Sequence, residues 1–200
     1  FELAVHDLIK KYATEHQRII FNGNGYSDEW VAEAEKRGLP NIKSMVEAIP
    51  QYVAPENVKA FEKFGVFTKA ELESRVEIEY ETYSKTINIE ARAMIDIAGK
   101  QIIPAVIKYT TVLANSLTAV KTACADADVS VQAELLTETS DLLSDAKTAL
   151  AKLTDVTDKA AELEEGAVQA TYYRDEVKAA MDELRAPVDK LKMLVDKEMW

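Results

Sequence analysis

One long amphipathic stripe constrains this chain more than any other feature. From Thr68 to about Cys124, apolar residues recur at steps of three and four, as along one face of an α-helix. The stripe predicts a single helix of about fifty residues, which at about 1.5 Å per residue is roughly 80 Å long. It consists of Leu72, Val76, Tyr80, Tyr83, Ile87, Ala91, Met94, Ala98, Ile102, Ala105, Tyr109, Val112, Leu117, Val120 and Cys124.

The start of this helix and a break inside it can both be read locally. Thr68-Lys69-Ala70-Glu71 has the form of a capping box, in which two side chains satisfy free backbone N–H groups. Gly99 weakens a helix by about 1 kcal/mol relative to Ala, and Pro104 removes one backbone hydrogen bond. We expect a bend near residues 100–104. Because the stripe keeps its phase there, a kinked continuous helix is favoured over two helices joined by a loop.

Two further stripes predict two more helices, at about 130–165 and 167–198, after the long one at about 68–124. Asp126 and Asp128 with Ser130 mark the first turn, and Gly166 marks the second. Short turns force neighbouring helices to run antiparallel. The fold class is therefore mainly α, with a long antiparallel three-helix bundle, coiled-coil-like, over residues 68–200.

Residues 1–67 predict a connector of short helices that forms the tail of an upstream domain. Apolar spacing indicates a helix from Leu3 to about Arg18, and Pro-punctuated stretches indicate others at 44–49 and 55–64. The apolar residues of the connector need a partner, either the base of the long helix or a domain missing from this chain. They are Met45, Val46, Ile49, Tyr52, Val53, Val58, Phe61, Phe64 and Phe67.

The connector contains one Gly-rich turn, Asn22-Gly23-Asn24-Gly25, which is the only candidate functional loop in the chain. Ile19 to Phe21 predict a strand or extended segment entering a tight turn with positive φ. Ser27 or Asp28 then caps a helix that continues to Arg37. A Gly-rich turn before a helix can bind phosphate through free N–H groups, but the Walker and dinucleotide spacings are absent. The loop is either a ligand site or a turn with its helix cap.

The charge of the chain narrows the classes of partner. A net charge of −11 with no basic stripe argues against nucleic acid and against an anionic membrane surface. The surplus acid on residues 68–200 is either a solvated face or an acidic docking surface. The single Cys124 excludes an internal disulfide and suits the cytoplasm, and neither a signal peptide nor an uninterrupted apolar run of membrane-spanning length is found.

Catalytic chemistry is hard to assemble from these residues. His6 and His16 have no Cys, His or Glu-x-x-His partner, so a metal site is not predicted. Tyr80, Tyr83 and the pair 172–173 are expected to pack in the core. We assign no catalytic, cofactor-binding or metal-binding residue, and the residues alone indicate an acidic helical interaction or assembly domain.

Several short blocks are specific enough to suggest a family. They are His6-Asp7-Leu8-Ile9-Lys10, Arg18 to Trp30 with its Asn-Gly-Asn-Gly-Tyr-Ser core, Glu79-Tyr80-Glu81-Thr82-Tyr83, Asn88-Ile89-Glu90-Ala91, Gln101-Ile102-Ile103-Pro104-Ala105, Tyr172-Tyr173-Arg174-Asp175 and Met199-Trp200. Together they resemble the C-terminal region of type III glutamine synthetases, the large bacterial form. The likeness covers nearly the whole chain.

This resemblance implies a parent enzyme that joins glutamate and ammonia with ATP and Mg²⁺ or Mn²⁺, in a large ring-based homo-oligomer. The catalytic core of the family lies upstream, so no catalytic residue can be carried over. The chain is then expected to be an excised piece whose partners are the upstream catalytic domain and neighbouring subunits. Competing hypotheses are a free-standing helical adaptor and, less consistent with the residues, a fragment that is itself an ATP-dependent ligase.

Overall fold

The computed structural model describes residues 1–200, and it is mainly α-helical with no β-strand, as the sequence predicts. The chain forms two compact units, Phe1–Ala48 and Ile49–Trp200. The domain boundary predicted between residues 67 and 68 stays a prediction. The division between the two compact units lies earlier in the sequence, between Ala48 and Ile49, because the 3₁₀ turn Ile49–Val53 packs on the long helix of the second unit.

The first unit contains α1 (Glu2–Glu15), a 3₁₀ turn at Gln17–Ile19, α2 (Asp28–Lys36) and α3 (Met45–Ala48). The first helix ends at Glu15, earlier than the expected Arg18. A strand or an extended segment is expected near Ile19–Phe21, and the extended segment is present: Ile20 has φ of −93° and ψ of 124°, and no strand forms. Gly38 follows α2 with φ of 67°, the left-handed conformation that ends a helix and favours glycine.

The second unit begins with that 3₁₀ turn and α4 (Pro55–Lys63), and the long helix follows. The predicted capping box is present at Thr68. The Thr68 N–H donates to Glu71 Oε2 at 2.7 Å, and the Glu71 N–H donates to Thr68 Oγ1 at 3.4 Å. The Thr68 N–H and the Thr68 hydroxyl both donate to the Glu71 carboxylate, which holds the pKa of this carboxyl below its usual value. The helix therefore starts where the local sequence specifies.

The long helix consists of α5 (Lys69–Ile97), a π-helical turn at Ala98–Ile102 and α6 (Ile103–Ala123). The interruption expected from Gly99 and Pro104 is thus a wider helical turn and not a loop. Gly99 faces Leu150, whose Cδ2 would lie 3.8 Å from a Cβ built on the glycine. Proline has no N–H to donate, so a widened turn before it leaves fewer backbone groups unpaired.

The remaining helices are α7 (Ser130–Glu162), α8 (Ala167–Tyr172) and α9 (Lys178–Leu194), with a second π-helical turn at Tyr173–Val177. α7 packs against both α6 and α9. The main core cluster holds Ile87, Ala91, Ala98, Leu150, Leu153, Val156, Ala160, Tyr173, Val177, Ala180 and Leu184. A second cluster holds Val106, Leu142, Ala146, Leu191 and Val195. The three-and-four spacing of apolar residues in this helix predicts Leu143 on the buried face, but Leu142 is the buried leucine and Leu143 is only partly buried.

Beyond the second cluster, α6 and α7 continue as a pair to the turn at residues 124–129, where Asp128 Oδ1 accepts the Ser130 N–H at 2.9 Å. By length and composition alone, the helix Lys69–Ala123 is apolar enough to cross a membrane, and little of its most apolar stretch is buried. Pro104 and Lys108 interrupt this apolar stretch, so it is not an uninterrupted apolar run.

Two isoleucines on α5 provide a matched test of the core. Ile87 is 9% exposed and Ile89 is 68% exposed, so only the first loses buried contacts when it is truncated. We predict that Ile87→Ala lowers the free energy of unfolding by about 2–5 kcal/mol, whereas Ile89→Ala changes it by less than about 0.5 kcal/mol. Urea denaturation followed by circular dichroism measures both. Equal losses would show that the helix buries a different face.

Candidate functional site

The Gly-rich loop of the first unit lies beside an aromatic pair. Phe21 and Trp30 stack with ring centroids 4.3 Å apart and planes at 25°. Gly23 lies against the same Phe21 ring, since a Cβ built on it would be 2.6 Å from Phe21 Cζ. The positive φ expected at Gly23 and Gly25 is wrong, because only Gly38, Gly65 and Gly166 have it. Glycine is needed at position 23 because a side chain there would clash with the Phe21 ring.

The rest of the loop is fixed by its own hydrogen bonds. The side-chain oxygen of Asn24 accepts the Tyr26 N–H at 3.0 Å, and the Asn24 carbonyl accepts the Ser27 hydroxyl at 2.9 Å. Ser27 caps α2, since its Oγ accepts the Trp30 N–H at 3.3 Å. The predicted cap is therefore present, and it uses an N–H group that a phosphate would need.

The charges at the start of α2 also disfavour an anion. Asp28 and Glu29 occupy the first turn, where they complement the positive end of the helix dipole. A phosphate at this position would meet two carboxylates. The geometry thus favours the interpretation of Asn22 to Gly25 as a turn with its helix cap over that of a phosphate loop.

Arg37 holds the segment before the loop, and sequence reasoning missed it. Its Nη1 donates to the carbonyl of Ile20 at 2.8 Å and lies 3.3 and 3.4 Å from those of Gln17 and Arg18. Its Nε donates to Glu33 at 2.7 Å, which holds the pKa of that carboxyl below its usual value. The guanidinium also lies 5.6 Å from the centre of the Trp30 ring. No local motif signals these contacts, because the carbonyls lie 17–20 residues away in sequence.

The clamped loop presents backbone and amide groups to solvent, but it brings no general base, nucleophile or cation together. Tyr26 projects fully into solvent from its tip. His6 lies 3.2 Å from Asp7 on α1, and both side chains are largely exposed. The chain offers no group of three or more His, Cys, Asp or Glu side chains placed to hold a metal ion.

These observations define the class of the protein: it is all-α, with a clamped surface loop and one very long helix. The family described as the glutamine synthetase C-terminal domain matches residues 4–121 of the chain. That match contains both the loop and nearly all of the long helix. The chain belongs to this family, and the resemblance to the C-terminal region of type III glutamine synthetases is confirmed.

Individual relatives agree with the family. A glutamine synthetase from Butyrivibrio fibrisolvens is 35% identical over 177 residues, which are 88% of this chain and 25% of that protein. A type-3 glutamine synthetase from Dictyostelium discoideum is 35% identical over 119 residues, 60% of this chain and 16% of that protein. A Bacteroides fragilis glutamine synthetase is 29% identical over 179 residues, 88% and 25% of the two chains. The chain spans about a quarter or less of the length of these relatives.

The two loop glycines provide a matched test of the clamp. In Gly23→Ala the new methyl group must displace the Phe21 ring, whereas nothing lies within 4 Å of a Cβ on Gly25. We predict that Gly23→Ala disturbs the Phe21–Trp30 stack and shifts Trp30 fluorescence, at a cost of about 1 kcal/mol. Gly25→Ala should leave the spectrum unchanged. Identical spectra for Gly23→Ala and the wild type would refute the close approach.

Proposed function

We propose that this chain is the C-terminal helical domain of a type III, bacterial-form glutamine synthetase, and that it serves assembly or regulation of the parent enzyme. The parent makes glutamine from glutamate, ammonia and ATP in the cytoplasm. Two relatives named glutamine synthetase, of which the chain spans about a quarter, and one named type-3 glutamine synthetase support the proposal. A free-standing helical adaptor is the alternative, and a reading frame that extends upstream into a catalytic core would separate the two.

ATP and Mg²⁺ or Mn²⁺ are proposed to bind outside these 200 residues. The carboxylates of the second unit point to solvent and many pair with single cations, as Lys152 does with Glu183 at 2.7 Å and Arg185 with Asp189 at 3.1 Å. Divalent metals and nucleotide phosphates need several converging ligands. The residues present do not fit either group, so we assign the chain no catalytic, cofactor-binding or metal-binding residue.

The observation that carries the assembly role is the composition of α6. The chain has 35 Asp and Glu residues, yet none lies between Ile97 and Ala125. Ile107 and Val112 flank the buried side of α6 and are 49% and 46% exposed. An acid-free helix that exposes apolar side chains, on a chain of net charge −11, is suited to contact with another protein surface.

The hydroxyls of α6 reinforce this conclusion. Thr110, Thr111, Thr118 and Thr122 each donate to a carbonyl of their own helix at 2.8–3.0 Å. A threonine bonded in this way has its donor satisfied and presents its methyl group outward. The face can therefore lose water on contact without leaving hydroxyl donors unpaired, which lowers the cost of burying it.

We infer that the long helix, α7 and the final helical segment form an antiparallel three-helix bundle, coiled-coil-like, whose α6–α7 end contacts a neighbouring subunit or the catalytic domain. The contacts of α7 with both α6 and α9 support this arrangement. Nucleic acid and membranes are not proposed as partners. A lipid bilayer is the competing surface for the apolar stretch of the long helix, and the test below includes it.

The assembly role predicts that a charge on the outer face of α6 reduces the size of the parent particle. In the full-length enzyme, Val112→Glu should give a smaller particle by analytical ultracentrifugation and a lower specific activity, because a carboxylate is costly to bury. Thr148→Glu, at an exposed site on α7, is the control and should preserve both. Wild-type mass and activity for Val112→Glu would overturn the role. Binding of the 200-residue chain to neutral lipid vesicles, abolished by Val112→Glu, would favour a membrane contact instead.

A second prediction concerns the 200-residue chain on its own. With glutamate, ammonia, ATP and Mg²⁺ or Mn²⁺, it should form no glutamine and release no phosphate from ATP above background. The reason is that it holds no convergent set of metal and phosphate ligands. A phosphate-release assay on protein purified from a host that lacks glutamine synthetase checks this. Turnover that scales with the amount of chain would reveal a catalytic site.

A further inference from the structure

A polar cavity of about 190 Å³ lies in the second unit, between α5, the end of α7 and the segment that starts at α8. We propose that this cavity binds a small molecule through a primary ammonium or carboxamide group. The side chains that define it are Glu81, Ser84, Lys85 and Asn88 on α5, with Gln169 and Tyr173 opposite. The proposal does not depend on the assembly role of α6.

Two polar atoms in this cavity are buried without a partner. Ser84 is 3% exposed, and neither its Oγ nor Asn88 Oδ1 makes a hydrogen bond. Thr154 bonds to its own backbone, at the Leu150 carbonyl, at 2.8 Å. The buried hydroxyls of Thr139 and Thr157 on α7 also lack a partner, but neither residue lines this cavity. A buried polar atom without a partner costs about 1–3 kcal/mol. Two such atoms one helical turn apart, on one wall of a cavity, mark a place prepared for a polar ligand.

The opposite wall is held rigidly. Gln169 Nε2 donates to the carbonyls of Ala160 and Leu163 at 3.1 and 3.4 Å, at the end of α7. Tyr173 is 2% exposed and is the first residue of the second π-helical turn. Single π turns inside α-helices occur frequently at functional sites, because they re-aim side chains. Burial raises the pKa of the Tyr173 hydroxyl, which therefore stays protonated at neutral pH.

The charges of the cavity select the chemistry of the ligand. Glu81 and Lys85 form an ion pair, and Glu165 also lines the cavity, so two carboxylates face one ammonium. This leaves an excess of acceptors, to which Asn88 Oδ1 adds another. An anion would be repelled, whereas a ligand N–H group finds carboxylate, amide and hydroxyl oxygens together.

The volume of the cavity is too large to be filled by a single water molecule or ammonium ion. A water molecule takes about 30 Å³ in the liquid, so the cavity is several times larger than one water or one ammonium ion. A small organic amine or amide fits it. Free amines and carboxamides share the N–H donor that the cavity selects, and the probes below distinguish them.

Binding can be measured directly on the 200-residue chain. Saturation-transfer NMR and calorimetry should detect ethanolamine, which is a primary ammonium, and propionamide, which is a neutral carboxamide. Tetramethylammonium carries charge without N–H groups, acetate is an anion, and neither should bind. If only one of these two probes binds, the cavity is assigned to ligands of that chemical class, ammonium or carboxamide. If neither probe binds, or if tetramethylammonium binds equally well, the proposal is overturned.

Variants locate any binding in the cavity. Ser84→Ala and Asn88→Leu should each weaken the affinity for the binding probe about tenfold, since each removes one hydrogen-bond partner worth about 1.4 kcal/mol. Ser74→Ala, at an exposed site on the same helix, is the control and should bind as the wild type does. Thermal melts confirm that all three variants fold. Unchanged affinity in both cavity variants would place the probe elsewhere and refute the assignment.

Discussion

The structure of the second unit depends on the burial of one face of α7. A helix the length of Lys69–Ala123 gains little from its own backbone and needs a packed apolar stripe to be stable in a protein. Leu150 and Leu153 supply the centre of that stripe, and they lie in one core cluster with residues of α5 and of both π-helical turns. Each fully buried leucine contributes about 1.5–3 kcal/mol, so α7 stabilises the helices on either side of it.

The two π-helical turns show how the chain reconciles local sequence with this packing. Gly99 and Pro104 disfavour a regular helix, yet Ala98 remains 3% exposed within the core. A loop at this point would leave backbone groups unpaired beside apolar side chains, which is costly. One widened turn keeps most hydrogen bonds and still satisfies the proline. The second turn has no such residue, but it starts at Tyr173, which lines the wall of the polar cavity.

Structural features that depend on neighbouring residues could be predicted from the sequence, and features that depend on contacts between distant residues could not. The capping box at Thr68 and the cap at Ser27 depend on residues three positions apart, so the sequence specifies them. The conformation of Gly23 depends instead on the Phe21 ring that Trp30 holds and on the carbonyls that Arg37 binds. A period of 3.6 fixes a helix face only to within a residue, so Leu142 is the buried member of the second cluster and Leu143 packs against it partly buried. The π-helical turn at Tyr173 contains no glycine or proline, so the local sequence does not predict it.

The distribution of charge supports the proposed assembly role of the long helix. Copies of a chain with net charge −11 repel one another, and at physiological salt the repulsion between exposed charges is screened only beyond about 8 Å. Contacts between copies are therefore least costly where carboxylates are absent, and the longest such stretch of this chain lies between Asp96 and Asp126. The same stretch carries the threonines whose hydroxyls are satisfied by their own helix. Electrostatics and hydrogen bonding thus both support α6 as the helix of the proposed protein contact, although neither depends on the other.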